Sequence, residues 1–299
     1  MPEPAGVQPP TPDIAAKPLT ARSRVSDILH RHGLRAQKGF GQNFLVDPAV
    51  LSAVVTAAEL APGDTVLEVG PGLGVLTHAL AERGANVVSV ELDGHLLPVL
   101  EETLADLASL PGAGSVEVVH ADALRFDLQR LPPGSKLVAN LPYNVATAVV
   151  ARALESGQFQ RLVFLVQREV ADRLTAAPGT AAYGALSLLV AHFGEARTVK
   201  LVPPGAFQPP PKVTSAVVMI DVHAGAAPDP ALFALVHQAF AHRRKTLAKN
   251  LAYAGYEREP VNAALEACGL DPRVRAEELS LAQFRELRSQ LEDAPNNAS

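Results

Sequence analysis

The chain has 299 residues, 48% hydrophobic and 19% charged, with a formal charge of −5. That is globular composition with length for about two domains, and it excludes both a disordered chain and a globally basic nucleic-acid binder. One cysteine, Cys268, excludes an intrachain disulfide and a cysteine-rich zinc site, so no metal is expected. No uncharged apolar run reaches the ~20 residues of a membrane span. The start, MPEPAGVQPPTP, lacks a basic segment followed by an apolar one, so no secretory signal is expected and the simplest setting is cytoplasmic.

Six prolines in the first 18 residues mark residues 1–19 as a disordered extension. Basic charge is local. Residues 1–45 hold six basic against three acidic residues, among them Arg22, Arg24, Arg31, Arg35 and Lys38. Residues 46–225 hold 11 against 18. Arg243, Arg244, Lys245 and Lys249 form a second cluster late in the chain. Such clusters attract phosphate even in an acidic chain, although a solvated helix face is the plainer reading of each.

From residue 64, short apolar runs alternate with helical stretches. Strands are expected at 65–70, 86–92, 115–122, 136–141 and 161–167, nearly continuous in apolar residues, as strands buried on both faces are. Helices are expected at 74–83, 94–108 and 144–156. This alternation predicts βαβ units and a parallel sheet. Two further strands, 196–203 and 215–222, are joined by a proline-dense loop too short for a crossover helix, so they are expected to be antiparallel. Five parallel strands plus such a pair is the count of the α/β, class I S-adenosylmethionine-dependent methyltransferase fold, a Rossmann-like seven-stranded sheet. Residues 226–293 read as helices only, at 230–253, 259–268 and 278–292. The expected domains are therefore a catalytic domain over 20–225 and a small C-terminal helical domain over 226–293, with 294–299 a tail.

TVLEVGPGLGVLTHAL sets Gly70, Gly72 and Gly74 at a strand-to-helix turn, where glycine lets backbone approach a ligand closely. Glu91 ends the second strand, where an acid can accept from ribose hydroxyls. Asp122 ends the third, where an acid can accept from an adenine amine. Ligands of open parallel sheets lie beyond the carboxyl ends of the strands, so the three converge on one crevice. Singly, each acid is as readily a helix cap. Both a dinucleotide and S-adenosylmethionine carry adenosine; the G-x-G-x-G spacing, with Val75 in place of a further glycine, leans toward the latter.

The fourth strand ends in Asn140-Leu141-Pro142-Tyr143. Pro142 biases Leu141 toward an extended backbone and fixes its own φ. The Leu141 carbonyl and the Asn140 side-chain oxygen can then accept two hydrogen bonds from one exocyclic amine, and Tyr143 offers a face for a base. Phe207, amid prolines, reads as an exposed aromatic that either touches substrate or anchors its loop.

Taken in order, several strings make the chain closely resemble the bacterial small-subunit ribosomal RNA adenine N6,N6-dimethyltransferase family. They are KGFGQNFL (38–45), EVGPGLGVLT (68–77), VELD (90–93), HADAL (120–124) and NLPYNVAT (140–147), then LVQREVADRL (165–174), YGALSLLV (183–190) and PPGAFQPPPKVTSAVV (203–218). The resemblance runs from about residue 24 to the end of the helical domain. It implies S-adenosyl-L-methionine as cofactor and two adjacent adenosines in a hairpin near the 3′ end of small-subunit rRNA as target. It also implies a role in small-subunit biogenesis, on a precursor particle. Asn43 and Leu45 would close over the cofactor's methionine portion, with Gly70 and Gly72 against it, Glu91 on the ribose and Asp122 on the adenine. Asn140 would touch cofactor and target amine, with Leu141, Pro142 and Tyr143 completing the base site and Phe207 as its second aromatic face. Arg243, Arg244 and Lys245 would meet rRNA phosphates, and Arg31, Arg35 and Lys38 would flank the cofactor entrance. No membrane partner is implied, and nothing in the sequence demands more than a monomer. The alternatives are a large-subunit adenine methyltransferase of the antibiotic-resistance type, a ribosome-assembly factor retaining the fold, and a dinucleotide-dependent oxidoreductase.

Overall fold

The computed structural model describes Ile14, residues 17–35 and residues 42–293. Most of the proline-rich start, the tail 294–299, Lys38 and the rest of 36–41 lie outside the described residues.

In chain order the elements are α1 (Arg22–Arg31), β1 (Phe44–Leu45), α2 (Pro48–Ala57), β2 (Thr65–Val69), α3 (Val75–Ala81), β3 (Asn86–Glu91) and α4 (Leu97–Thr103). Next come β4 (Val116–His120), β5 (Ser135–Asn140), α5 (Ala146–Glu155), β6 (Phe159–Gln167), α6 (Arg168–Leu174) and α7 (Ala185–Phe193). The last are β7 (Gly194–Val202), β8 (Phe207–Gln208), β9 (Ser215–Val222), α8 (Pro230–Ala239), α9 (Leu247–Tyr253), α10 (Arg258–Ala267) and α11 (Leu281–Asp293).

Seven strands form one sheet in the order β4-β3-β2-β5-β6-β9-β7. The pairs β2·β3, β3·β4, β2·β5 and β5·β6 are parallel, and β9 runs antiparallel to β6 from Arg161↔Asp221 to Gln167↔Ser215. The chain runs outward from β2 to β4 and then returns to β5 on the other side. That reversal opens a crevice beyond the carboxyl ends of β2 and β5, where Gly70 and Asn140 lie. Valines and leucines bury β2, β5 and β6 almost completely. The expected strand over 115–122 departs from this. As β4 it is an edge strand, its Val118 36% exposed, not a strand buried on both faces.

The expected helix 94–108 is three pieces. A 3-10 turn at Gly94–Leu96 precedes α4, with Pro98 in its first turn, and a second turn follows at Ala105–Ser109. The expected helix 230–253 is interrupted at 240–246. There Thr246 caps α9, and the Asn250 amide donates to the carbonyls of Ala239 at 2.6 Å and His242 at 3.2 Å.

The described chain divides into two compact units, residues up to Ala171 with Arg197–Ala224, and Asp172–Ala196 with Gly225 onward. The expected boundary near 225 is one crossing. The segment 172–196, expected in the catalytic domain, belongs to the helical unit. The reason is packing: Tyr183 and Leu188 are buried in one cluster with Leu232, Leu251, Leu265, Phe284 and Leu287, and Tyr183 Oη donates to the Leu279 carbonyl at 2.9 Å.

Candidate active site

The glycine-rich turn after β2 has φ of +70° at Gly70, +60° at Gly72 and +80° at Gly74. A side chain is strained at such angles. At Gly74 it is also blocked, because a Cβ would lie 2.9 Å from Thr103 Oγ1. Gly70 backs onto the catalytic loop, with a Cβ position 3.4 Å from the Pro142 ring, and Gly72 faces the Phe44 ring at 3.3 Å. Three segments thus meet, 42–45, 70–73 and 140–145, around a cleft of about 1110 Å³ including its open mouth. Asn43, Leu45, Gly70, Gly72, Glu91, Asp122, Asn140, Leu141, Pro142 and Tyr143 all line it.

Glu91 is 7% exposed, and burial raises its pKa. Its carboxylate accepts from the backbone amides of Asp93, at 2.8 Å, and of Gly72 and Leu92. A carboxylate has about four acceptor positions, so one stays open for a ligand hydroxyl. Asp122 does both things its sequence context allows. Its Oδ1 accepts from Leu124 N at 2.8 Å as a cap, while Oδ2 is 3.9 Å from the exposed Arg125 and free to take an amine from the cleft. Gln42 Nε2 donates to Asp93 Oδ2 at 2.9 Å, tying the entrance segment to the loop that carries Glu91.

Asn140 Nδ2 donates to the Asn43 carbonyl at 3.1 Å. The amide's donor is thereby committed to backbone, and Oδ1 is left as an acceptor. Leu141 N donates to the Leu165 carbonyl at 3.2 Å, which holds the loop to β6, while the Leu141 carbonyl takes no donor among the described residues. Two open acceptors therefore stand on consecutive residues. The Tyr143 hydroxyl is 2.7 Å from Ser215 Oγ, and its pKa is raised by burial. Ser215, fully buried at the start of β9, is a residue that sequence reasoning missed.

So is Glu68, which lies on the cleft floor and is 1% exposed. Thr77 Oγ1 donates to it at 2.6 Å and Ser89 Oγ at 2.7 Å. Burial pushes its pKa up to about 7. The folded state then holds a proton that the unfolded state releases near 4.5, so stability falls as pH rises from about 4.5 to 7 and levels off above. At the ~1.36 kcal/mol that one proton carries per pH unit, the ramp amounts to about 3 kcal/mol. Glu68→Gln, which keeps an acceptor for both hydroxyls, is expected to lack it. Urea unfolding of both proteins at pH 5 and pH 8 checks this, and parallel pH profiles would refute it.

Two expectations are corrected. Phe207 is not an exposed loop aromatic. It is 1% exposed and does not line the cleft, because β8 pairs antiparallel with β1, Leu45↔Phe207, and the ring joins the buried cluster of Leu45, Val202, Ala206 and Val217. Arg31 does not stand open to phosphate at the cofactor entrance. It pairs with Asp27 at 2.9 Å and Glu102 at 2.8 Å, and the guanidinium holds the Glu102 carboxyl down at about 2. Arg35 is exposed. Arg243, Arg244 and Lys245 are exposed in the turn before α9, in the helical unit, with Arg243 Nη2 donating to the Ala181 carbonyl at 2.7 Å.

The charge of the cleft separates the candidate cofactors. Glu91 and Asp122 line it, with Glu68 partly protonated on the floor, and no lysine or arginine does so among the described residues. That set repels the pyrophosphate of a dinucleotide and suits a ligand carrying a sulfonium and an ammonium. With an open acceptor on Glu91, it fits S-adenosylmethionine, and the fold and cleft are those of a methyltransferase that uses it.

Comparison with known proteins agrees. The ribosomal RNA adenine dimethylase family matches residues 33–293. Ribosomal RNA small subunit methyltransferase A of Deinococcus radiodurans is 44% identical over 97% of this chain and 96% of its own. The protein of that name from Pelotomaculum thermopropionicum is 41% identical over 94% of this chain and 98% of its own. Among solved structures, the 23S rRNA methyltransferase ErmE is similar with a TM-score of 0.65 and 28% identity, covering 84% of this chain and all of that one. A dimethyladenosine transferase from Plasmodium falciparum shares the fold, with a TM-score of 0.70 at 23% identity over 82% and 95% of the two chains. The chain belongs to the ribosomal RNA adenine dimethylase family. It is a methyltransferase whose cofactor is S-adenosylmethionine and whose substrate is ribosomal RNA. No helix among the described residues is long and apolar enough to cross a membrane.

Proposed function

We propose that this enzyme converts two adjacent adenosines in a hairpin near the 3′ end of small-subunit rRNA to N6,N6-dimethyladenosine, acting as a cytoplasmic monomer on a precursor of the small subunit. The observation that carries the chemistry is the pair of open acceptors on Asn140 and Leu141, in a cleft whose acids suit a cationic methyl donor. The 44% identity to a small-subunit enzyme, against 28% to a large-subunit one, supports the choice of subunit.

Bound S-adenosylmethionine supplies an electrophilic methyl on a sulfonium. The protein's task is to make adenine N6 nucleophilic. That nitrogen's lone pair is delocalised into the ring. Asn140 Oδ1 and the Leu141 carbonyl accept its two N–H bonds, favour a pyramidal nitrogen and free the lone pair. The second transfer has one N–H left and uses one acceptor. Tyr143 supplies a stacking face, worth about 1–3 kcal/mol in nucleic-acid systems. The hydrogen bond to Ser215 sets that ring's position. N6 of a stacked adenine is out of reach, so the target base must leave its stack. No side chain acts as base during transfer, because the proton leaves afterward through the open mouth to water. Glu91 would hold the ribose, Asp122 the adenine, Gly70 and Gly72 the backbone contacts, and Asn43 with Leu45 the methionine portion. In the helical unit, Arg243, Arg244 and Lys245 would add sequence-independent phosphate contacts.

The test is methyl transfer from labelled S-adenosylmethionine to undermethylated small and large subunits separately, with nucleoside mass spectrometry of the product. Dimethyladenosine in small-subunit rRNA alone is expected. Label only in the large subunit would move the enzyme to the other branch. No transfer to either, with cofactor still bound, would favour an assembly factor.

A further inference from the structure

We infer that Tyr253 and His242 form a stacking platform for an unpaired RNA base beside the basic turn of the helical unit, a surface distinct from the cleft that takes the target adenine. Tyr253, the last residue of α9, is 66% exposed, more than any other large hydrophobic among the described residues. Its ring meets that of His242 at 5.2 Å between centroids and 79° between planes. A perpendicular contact fixes an aromatic ring and leaves a face open. His242 is followed directly by Arg243, Arg244 and Lys245, and Lys249 lies one turn before Tyr253 on α9. Among the described residues, no carboxylate pairs with any of these four cations, whereas Arg273, Arg275 and Arg288 of the same unit are each paired to an acid.

The turn is also cross-tied by hydrogen bonds. Asn250, 2% exposed, ties together the Ala239 and His242 carbonyls, Lys245 N donates to the His242 carbonyl at 2.9 Å, and Thr246 caps α9. A preformed platform loses little entropy when a partner binds. Unneutralised cations beside an open aromatic face are the two components of single-stranded nucleic-acid binding, one following the backbone and the other taking a base. An acidic peptide would use the cations and leave the ring without a role. The inference rests on the RNA-binding reading of the basic turn and adds to it a contact that is not electrostatic.

The two parts separate in a salt series. Binding of the full chain to undermethylated small subunits is measured by filter retention for wild type, Tyr253→Phe, Tyr253→Ala and Arg244→Gln. Tyr253→Ala is expected to weaken binding about tenfold at every salt concentration, with an unchanged salt slope and thermal midpoint. Tyr253→Phe, which keeps the face, is expected to stay within about twofold. Arg244→Gln is expected to reduce the salt slope by about one. Wild-type binding by Tyr253→Ala, with the slope still altered in Arg244→Gln, would overturn the platform and leave the basic turn intact. A Tyr253→Phe variant as weak as Tyr253→Ala would also overturn it, because the hydroxyl and not the face would be the contact. Wild-type behaviour in both Arg244→Gln and Tyr253→Ala would remove the RNA-binding reading of the turn, and the platform with it.

Discussion

Asn140→Ala is expected to lower kcat for methyl transfer about 10²–10³-fold, the scale on which enzymes lose rate when one preorganised polar group at the reacting atom is removed. The effect belongs in kcat because the acceptor acts as N6 turns pyramidal, so it is stronger in the transition state than in the ground state. Cofactor affinity is expected to change far less, since Glu91, Asp122 and the glycine turn are untouched. Some change is expected, because the same amide donates to the Asn43 carbonyl and helps hold the entrance segment. Asn140→Asp separates the two roles. It keeps an acceptor oxygen but loses the donor to Asn43 and adds a charge to a cleft already lined by Glu91 and Asp122. It is expected to hold cofactor less rigidly while retaining more activity than alanine. Single-turnover transfer at saturating cofactor, with cofactor affinity measured separately, distinguishes the outcomes. A kcat within tenfold of wild type in Asn140→Ala would remove the residue from the chemistry.

The parts of this site that can be read along the chain are those that sit at strand ends. A parallel sheet brings the carboxyl ends of its strands together whatever lies between them, so Gly70, Glu91, Asp122 and Asn140 meet for a reason already present in the alternation of apolar runs. What could not be read depends on pairings distant in sequence. Glu68 sits inside an apolar strand, and its significance comes from Thr77 and Ser89, hydroxyls on two other elements. Ser215 reaches Tyr143 only because β9 lies beside β6 in the sheet. The break at 240–246 left the apolar spacing of 230–253 undisturbed, and its cause, the Asn250 amide, points inward from the next helix. Helix α7 joins the helical unit through Tyr183 and Leu188, which no local pattern distinguishes from residues of the sheet domain's own core.

Phe207 is the sharpest case, because two physical roles predict different mutants. As a core residue, 1% exposed in the cluster with Leu45, Val202 and Val217, its truncation to alanine is expected to cost about 3–5 kcal/mol. That is a large fraction of the ~5–15 kcal/mol that stabilises a typical domain, so Phe207→Ala is expected to show a clear fall in thermal midpoint. Loss of activity in that variant would not distinguish the roles. Phe207→Leu does, because it keeps much of the apolar volume and discards the aromatic face. A core role predicts a cost of less than about 1.5 kcal/mol and near-wild-type transfer at a temperature where the variant is folded. A stacking role predicts the opposite, an unchanged thermal midpoint with kcat/KM for the RNA reduced about tenfold or more. The structure favours the first outcome, and it adds a consequence. Leu45 pairs with Phe207 across the β1–β8 ribbon and lines the cofactor cleft. Cavity formation behind it is therefore expected to raise KM for S-adenosylmethionine in Phe207→Ala before it affects binding of the RNA, so that a residue outside the cleft acts through the one that closes it.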